Sequence, residues 1–538
     1  MSQGPVLSFL NRRCAILVVA LIFIATIRIV STYTVFNHVV DEPGHIACGM
    51  EWLDKGVYQW EAQHPPLARV VAALGPYLAG IRSQGTPNVE SSATAREGLA
   101  ILYHGHQYER NLSLARLGML PFFWIACLVV YWWGYRYFTP AAGVIAVFLF
   151  TFIPPILAHS GLTTTDMALT AFLAAAFVAG LRWVELPTTA RAAWFGAAAG
   201  LMFLSKFSCV AFFPAIVVLT LAGYFLVERP GISAAFRAAR QRIPTLGLAV
   251  LVGLAVVWAG YRFSFGKVSF ASFPLPFPEV YAGLREVLVH ASKGHKGYLL
   301  GETRETGFWN FYPVAIGVKS PLAFLALLGI GLVLVFRKSK LTRRLWLPLA
   351  FSGGILLVGI FSTINIGIRH VLPVYVGFSL LAAVAVVRLL ELGQTRKWVW
   401  GLLILLLSWM AASSLLSHPD YIPYFNELAG SHPENILVDS DLDWGQDVKR
   451  LSARLHQLGA TSVAYMGFVP ADVVLQHGFP PLRHLNSFHP VEGWNAIGMT
   501  LWKEYRSVSW PDRIEPQEIV GKSMLLWYFP PAAPERPR

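Results

Sequence analysis

Apolar residues run through this chain in blocks too long for a soluble core, with short polar connectors between them. Eleven blocks stand out, at 14–36, 115–137, 141–159, 166–184, 191–207, 209–227, 244–262, 313–336, 345–363, 370–388 and 398–416. Each is close to the ~20 residues that an α-helix needs to cross a bilayer. Three polar segments are too long to be connectors: a first loop at 37–114, a fourth loop at 263–312 and a tail at 417–538. Long loops are where function concentrates. In the first loop, His45 to Lys55 and Pro65 to Leu78 have amphipathic spacing and predict short helices at the membrane surface. In the tail, Ile436-Leu437-Val438 predicts a strand, Gln446 to Leu458 a helix and Ser462 to Phe468 a second strand. The expectation is a polytopic α-helical membrane unit over 1–416 and a small α/β domain over 417–538.

Composition agrees: 55% of the 538 residues are hydrophobic and 14% charged, against about 25% charged in soluble domains. The net charge of +13 raises nucleic acid as a partner. The positions argue against it, because Lys and Arg gather in the connectors: Arg12 and Arg13, Arg182 and Arg191, Arg229 to Arg242, Arg337 to Arg344, and Arg388 to Lys397. That is a topology signal. If the spans alternate, all these connectors and the N-terminus lie in the cytoplasm, and the three long segments lie on the other face. Of Cys14, Cys48, Cys127 and Cys209, three sit in or at apolar blocks, so no disulfide framework is indicated. The start, Asn11-Arg12-Arg13 and an apolar run, resembles a signal peptide but lacks a small-residue cleavage site. An uncleaved first helix is expected.

Candidate chemistry clusters on the non-cytoplasmic face. Asp41 and Glu42 follow the first span. An acid at a membrane edge is costly unless it has a task. The pair has two readings: a cap for a helix starting near Pro43, or a carboxylate that takes a proton from a hydroxyl or holds a divalent cation. His64-Pro65-Pro66-Leu67-Ala68-Arg69 places His64 before a helix start and Arg69 in its first turns, facing either a phosphate or the interface. Asp166 opens a span on the same side. Lys319, before Ser320-Pro321, is a cation inside a span end that wants an anionic partner. Arg369-His370 is an outward cationic pair suited to phosphate. Charged and aromatic residues of the fourth loop, from Lys293 to Tyr312, suit a phosphate headgroup and a sugar ring. Asp439, Asp441 and Asp443 have calcium-loop spacing, yet Trp444 and Arg450 stand where that loop needs Gly and Glu. Capping acids at a turn are expected instead. No Walker loop, dinucleotide fingerprint, HExxH or GxSxG is present.

The Asp-Glu pair after the first span, with His-Pro-Pro-Leu later in the same loop, resembles the protein O-mannosyltransferases. These are members of the GT-C superfamily of polyprenyl-phosphate-dependent glycosyltransferases, to which the lipid A aminoarabinose transferase is related. The resemblance continues through Arg116-Leu117, Thr165-Asp166, Lys319-Ser320-Pro321, Arg369-His370 and Asp441-Leu442-Asp443-Trp444-Gly445-Gln446-Asp447. It implies an inverting transfer of a sugar from a polyprenyl phosphate to an extracytoplasmic hydroxyl on a protein, lipid or glycan, in the bacterial cytoplasmic (inner) membrane. It makes Asp41 the general base with Glu42 in support. It places His64 and Arg69, with Asp166, Lys319, Arg369 and His370, around the donor. Metal use varies across the superfamily, which leaves a divalent cation open and no cofactor required. The chain departs from the family at Gln63-His64-Pro65-Pro66, where the aminoarabinose-type relatives have Glu-Lys-Pro-Pro. It departs again at Ala68-Arg69, where the mannosyltransferases have Gly-Lys. Both sugar and acceptor stay open. A transporter or flippase of lipid-linked sugars is the rival reading; Arg28, inside the first span, is the feature that favours it.

Overall fold

A computed structural model describes residues 4–87, 92–337, 339 and 342–531; Lys338 and Lys340 of the basic connectors lie outside them. Among the described residues, six helices are long and apolar enough to cross a membrane, or nine if each sharply bent pair is one crossing. Two of the expected spans form shorter helices, Thr189–Ser205 and Trp346–Ile360. The spans differ in what surrounds them. Val374–Gly393 is apolar on every side and 83% of its most apolar stretch is buried, so it is the central pillar. Cys209–Val227 and Ile232–Gly260 are just as apolar, yet only 11% of the most apolar stretch of each is buried. Helices that turn Leu226, Phe225 and Leu251 outward suit lipid, where the helix also satisfies its own backbone.

Proline sets the breaks. The span expected at 313–336 is two helices, Phe311–Lys319 and Leu322–Val335, bent by 119°. Pro321 has no N–H to donate, and it drives Ser320 to extended backbone (φ −103°, ψ 139°). The span at 141–159 bends by 73° between Pro140–Thr151 and Pro154–Ser160 for the same reason.

The two ends of the bundle carry different chemistry. At one end the basic connectors meet: Arg136 and Arg344 both approach Glu185, at 3.5 and 3.6 Å, and Arg343 pairs with Glu228 at 2.9 Å. At the other end stand the long segments. The first loop folds into helices Glu42–Asp54, Pro66–Leu78 and Ala93–Tyr103 over a core of Ile46, Met50, Ala73, Ile101 and Leu112. The two predicted amphipathic stretches are thus helices, packed on each other. Glycines allow the contact: a Cβ on Gly49 would lie 1.9 Å from the Arg69 carbonyl oxygen, and one on Gly98 1.8 Å from that of Pro43.

The tail holds a five-stranded mixed sheet in the order Leu482–Arg483, Val463–Met466, Gly493–Gly498, Met524–Phe529, Glu518–Val520. Alternate side chains serve two cores: Val463, Met524 and Leu526 face helix Val448–Gln457, while Ala464, Leu525 and Trp527 face Trp510 and Leu485. The expected helix and second strand are present. The strand expected at Ile436-Leu437-Val438 is not. That stretch runs between two 3₁₀ turns, with Leu437 buried in the membrane-unit core and Val438 in the sheet core. Its apolar character comes from lying between two units.

Candidate functional site

The helix that starts at Glu42 has no side-chain cap, so Asp41 is free of the role its position first suggests. Its carboxylate turns instead to Arg369, which approaches at 3.1 Å. Arg369 also stands 3.8 Å from Asp166, and Lys206 donates to the other oxygen of Asp166 at 2.7 Å. Four charges from four separate parts of the chain thus form one row: Asp41, Arg369, Asp166, Lys206. Asp41 is the open end of it. Its side chain is 35% exposed, against 1% for Asp166 and 8% for both cations.

Glu42, one residue on, faces the opposite way and is wholly enclosed. Arg116 donates to both its oxygens, at 2.9 and 2.7 Å, and the N–H groups of Val39 and Thr163 complete its shell. Burial alone would raise its carboxyl; Arg116 and the N–H groups of Thr163 and Val39 together outweigh that and hold it below the ordinary carboxylate range. Arg116 further donates to the carbonyls of Asn37 and Tyr33. Glu42 therefore fixes the loop that carries Asp41 and reaches no substrate itself.

A cavity of about 150 Å³ opens beside the row, lined by His64, Lys206, Phe207, Phe212, Tyr312, Val358 and His370 among others. Its walls are chiefly apolar and its cationic end is Lys206. The buried Nδ1 of His64 has no hydrogen-bond partner. Burial and the nearby Arg69 and His45 keep this imidazole well below its ordinary pKa, so it is neutral at pH 7. Such a group can donate to a phosphate oxygen without adding charge.

Two cations expected at the phosphate are turned elsewhere. Arg69 is 1% exposed. Its guanidinium holds Glu61 at 2.6 Å, His45 at 2.9 Å and Tyr58 at 3.0 Å, so it ties the 58–64 turn to two helices. Lys319 donates to the carbonyls of Ile422 and Asp441, at 2.7 and 2.6 Å, and lies 4.1 Å over the Phe425 ring. Its anionic partner is a pair of carbonyl dipoles, and it staples the tail to the bent span. Arg28 is likewise a structural group, donating to Ser414 and Tyr421.

Sequence reasoning missed Lys206. It sits at the end of an apolar block, and the rule that singled out Lys319 applies equally to it. Trp444 enters the sequence reading only as a break in the calcium-loop pattern and as part of the resemblance; its ring lies 4.2 Å from the Arg369 guanidinium. The acids of the tail take neighbouring N–H groups: Asp441 accepts from Ile368 at 3.1 Å, and Asp443 from Thr500 at 3.0 Å. Among the described residues no three His, Cys, Asp or Glu side chains converge as a metal set.

The sequence of residues 111–261 matches the family model described as dolichyl-phosphate-mannose-protein mannosyltransferase. The fold is similar to that of ArnT from Cupriavidus metallidurans bound to undecaprenyl phosphate. The TM-score is 0.53 at 13% identity, over 95% of this chain and 97% of that one. The apo state of the same protein gives a TM-score of 0.51 at 16% identity, over 78% and 67%. No curated protein matches the chain in sequence.

Proposed function

We propose that this chain, a membrane protein of the GT-C architecture resembling the protein O-mannosyltransferases, moves a sugar from a polyprenyl phosphate to an acceptor hydroxyl. One observation carries the reading. The open carboxylate of the charged row, Asp41, is joined through Arg369 and Asp166 to Lys206, which forms the cationic end of a chiefly apolar cavity. The cavity suits a lipid phosphate: Lys206, His370 and His64 meet the phosphate, and Phe207, Phe212 and Val358 meet the first isoprene units.

The reaction is a single displacement. The acceptor oxygen forms a bond to the anomeric carbon on the face opposite the phosphate. The bond from that carbon to the phosphate oxygen breaks, and the configuration inverts. Asp41 takes the hydroxyl proton. Negative charge grows on the leaving phosphate, where Lys206 and Arg369 are already oriented by Asp166 and Asp41. Asp166 touches no substrate in this scheme; it holds the two cations apart and in place. The acceptor, whether protein, lipid or glycan, enters from the Asp41 side. The protein lies in the cytoplasmic membrane of a bacterium, with the site and tail outside the cytoplasm.

Mass spectrometry of lipids that copurify with the protein tests the reading. A sugar-bearing polyprenyl phosphate is expected, and purified protein is expected to bind undecaprenyl phosphate. If neither is found, the donor assignment fails.

A further inference from the structure

The row of charges is not completed by the membrane unit alone. The segment from Ser440 to Val448, at the head of the tail, touches both sides of the Asp41–Arg369 pair. On the Arg369 side, the Trp444 ring covers the guanidinium at 4.2 Å, and the Ser440 hydroxyl accepts from Nε at 3.1 Å while donating to the Ile366 carbonyl. The Asp441 carboxylate accepts the Ile368 N–H, one residue before Arg369. On the Asp41 side, the Val40 N–H donates to the Trp444 carbonyl at 3.3 Å. Asn37 donates to the Gly445 carbonyl at 2.7 Å and accepts the Val448 N–H at 2.9 Å. Lys319 pins the segment from beneath through the Asp441 carbonyl.

A guanidinium has two faces and five N–H groups, and its direction is set by what occupies them. Here one face and Nε belong to the tail, while Nη1 is directed at Asp41 and Asp166. We infer that Trp444 and Ser440 are positioning residues of the reaction: the tail aims Arg369 at the phosphate, so the two units form one catalytic body. This rests on the role given to Arg369 under Proposed function.

The test measures undecaprenyl phosphate binding to the purified full chain, with the thermal unfolding midpoint as a control. Trp444→Ala is expected to weaken binding about tenfold and Trp444→Phe less than about threefold, because a ring face is what the cation needs. Arg369→Ala is expected to weaken it at least about tenfold. In the double variant Trp444→Ala/Arg369→Ala, the loss should stay within about twofold of Arg369→Ala alone, since Trp444 acts only through Arg369. Multiplying losses in the double variant would overturn the inference, as would wild-type binding by Trp444→Ala. Should Trp444→Ala fail to fold, Ser440→Ala removes only the Nε acceptor. It is expected to weaken binding about threefold at an unchanged midpoint, and wild-type binding would overturn the inference. Wild-type binding by Arg369→Ala is a separate outcome, because it removes Arg369 from the phosphate and sinks the reading on which the inference stands.

Discussion

Glu42 and Arg116 form a two-pronged ion pair whose side chains are 0% and 1% exposed. Removing either member leaves a buried charge without its counter-ion. Glu42→Ala and Arg116→Leu are each expected to cost about 3–5 kcal/mol. The readout is folded yield and the unfolding midpoint in detergent. A wild-type midpoint for Arg116→Leu would show that the pair does not hold the loop.

Asp41 differs from its neighbour in being open and partnered on one side only. Asp41→Asn is expected to leave the midpoint within a degree or two of wild type. It should lower sugar transfer by about 10²–10⁴-fold, the range for a lost general base. Full transfer by this variant, with polyprenyl-linked sugar supplied, would remove Asp41 from that role.

Lys206 joins the cavity to Asp166. Lys206→Gln is expected to weaken undecaprenyl phosphate binding about ten- to a hundredfold, the worth of a charge-assisted hydrogen bond. Lys206→Arg should fall between that variant and wild type. Equilibrium binding by native mass spectrometry separates the three proteins, and equal affinities would move the phosphate elsewhere.

The junction of tail and fourth loop should respond to pH. Burial raises Asp439 to about 7, with Asp41 and Asp441 adding to it, and raises Glu504 to about 9, with Asp439 and Glu305 adding to it. Both folded values lie above those of the unfolded chain. Their stabilising protons are fully in place below about pH 4 and are lost as pH rises, through about 7 for Asp439 and about 9 for Glu504. The midpoint of the tail is therefore expected to fall between pH 5 and pH 9. Glu504→Gln, which has no proton to lose, should flatten that fall and raise the midpoint at pH 8. An equal slope in both proteins would count against the assignment.

The orientation is checked by a reporter fused after residue 430, which should read as extracytoplasmic. A cytoplasmic signal would invert the whole arrangement.

Much of the site was legible because charges are rare in apolar runs. Asp41, Asp166, Arg369 and His370 drew notice for that reason, and the alternation of spans put them on one face before any geometry was known. What stayed hidden depends on direction and distance. Asp41 and Glu42 are adjacent in sequence, and only the fold turns one to Arg369 and the other to Arg116. Arg69 and Lys319 look like free cations until the Glu61 carboxylate and two distant carbonyls are placed beside them. Lys206 was absorbed into a hydrophobic block at 191–207. Ile436-Leu437-Val438 reads the same whether buried in a sheet or between two units.

Asn37 bonds to Gly445 and Val448 across 408 and 411 positions of chain. The ribosome therefore delivers Asp41 long before its clamp exists. The loop that carries Asp41 is thus held by residues made some four hundred positions later, and a chain that has not reached Val448 lacks that hold.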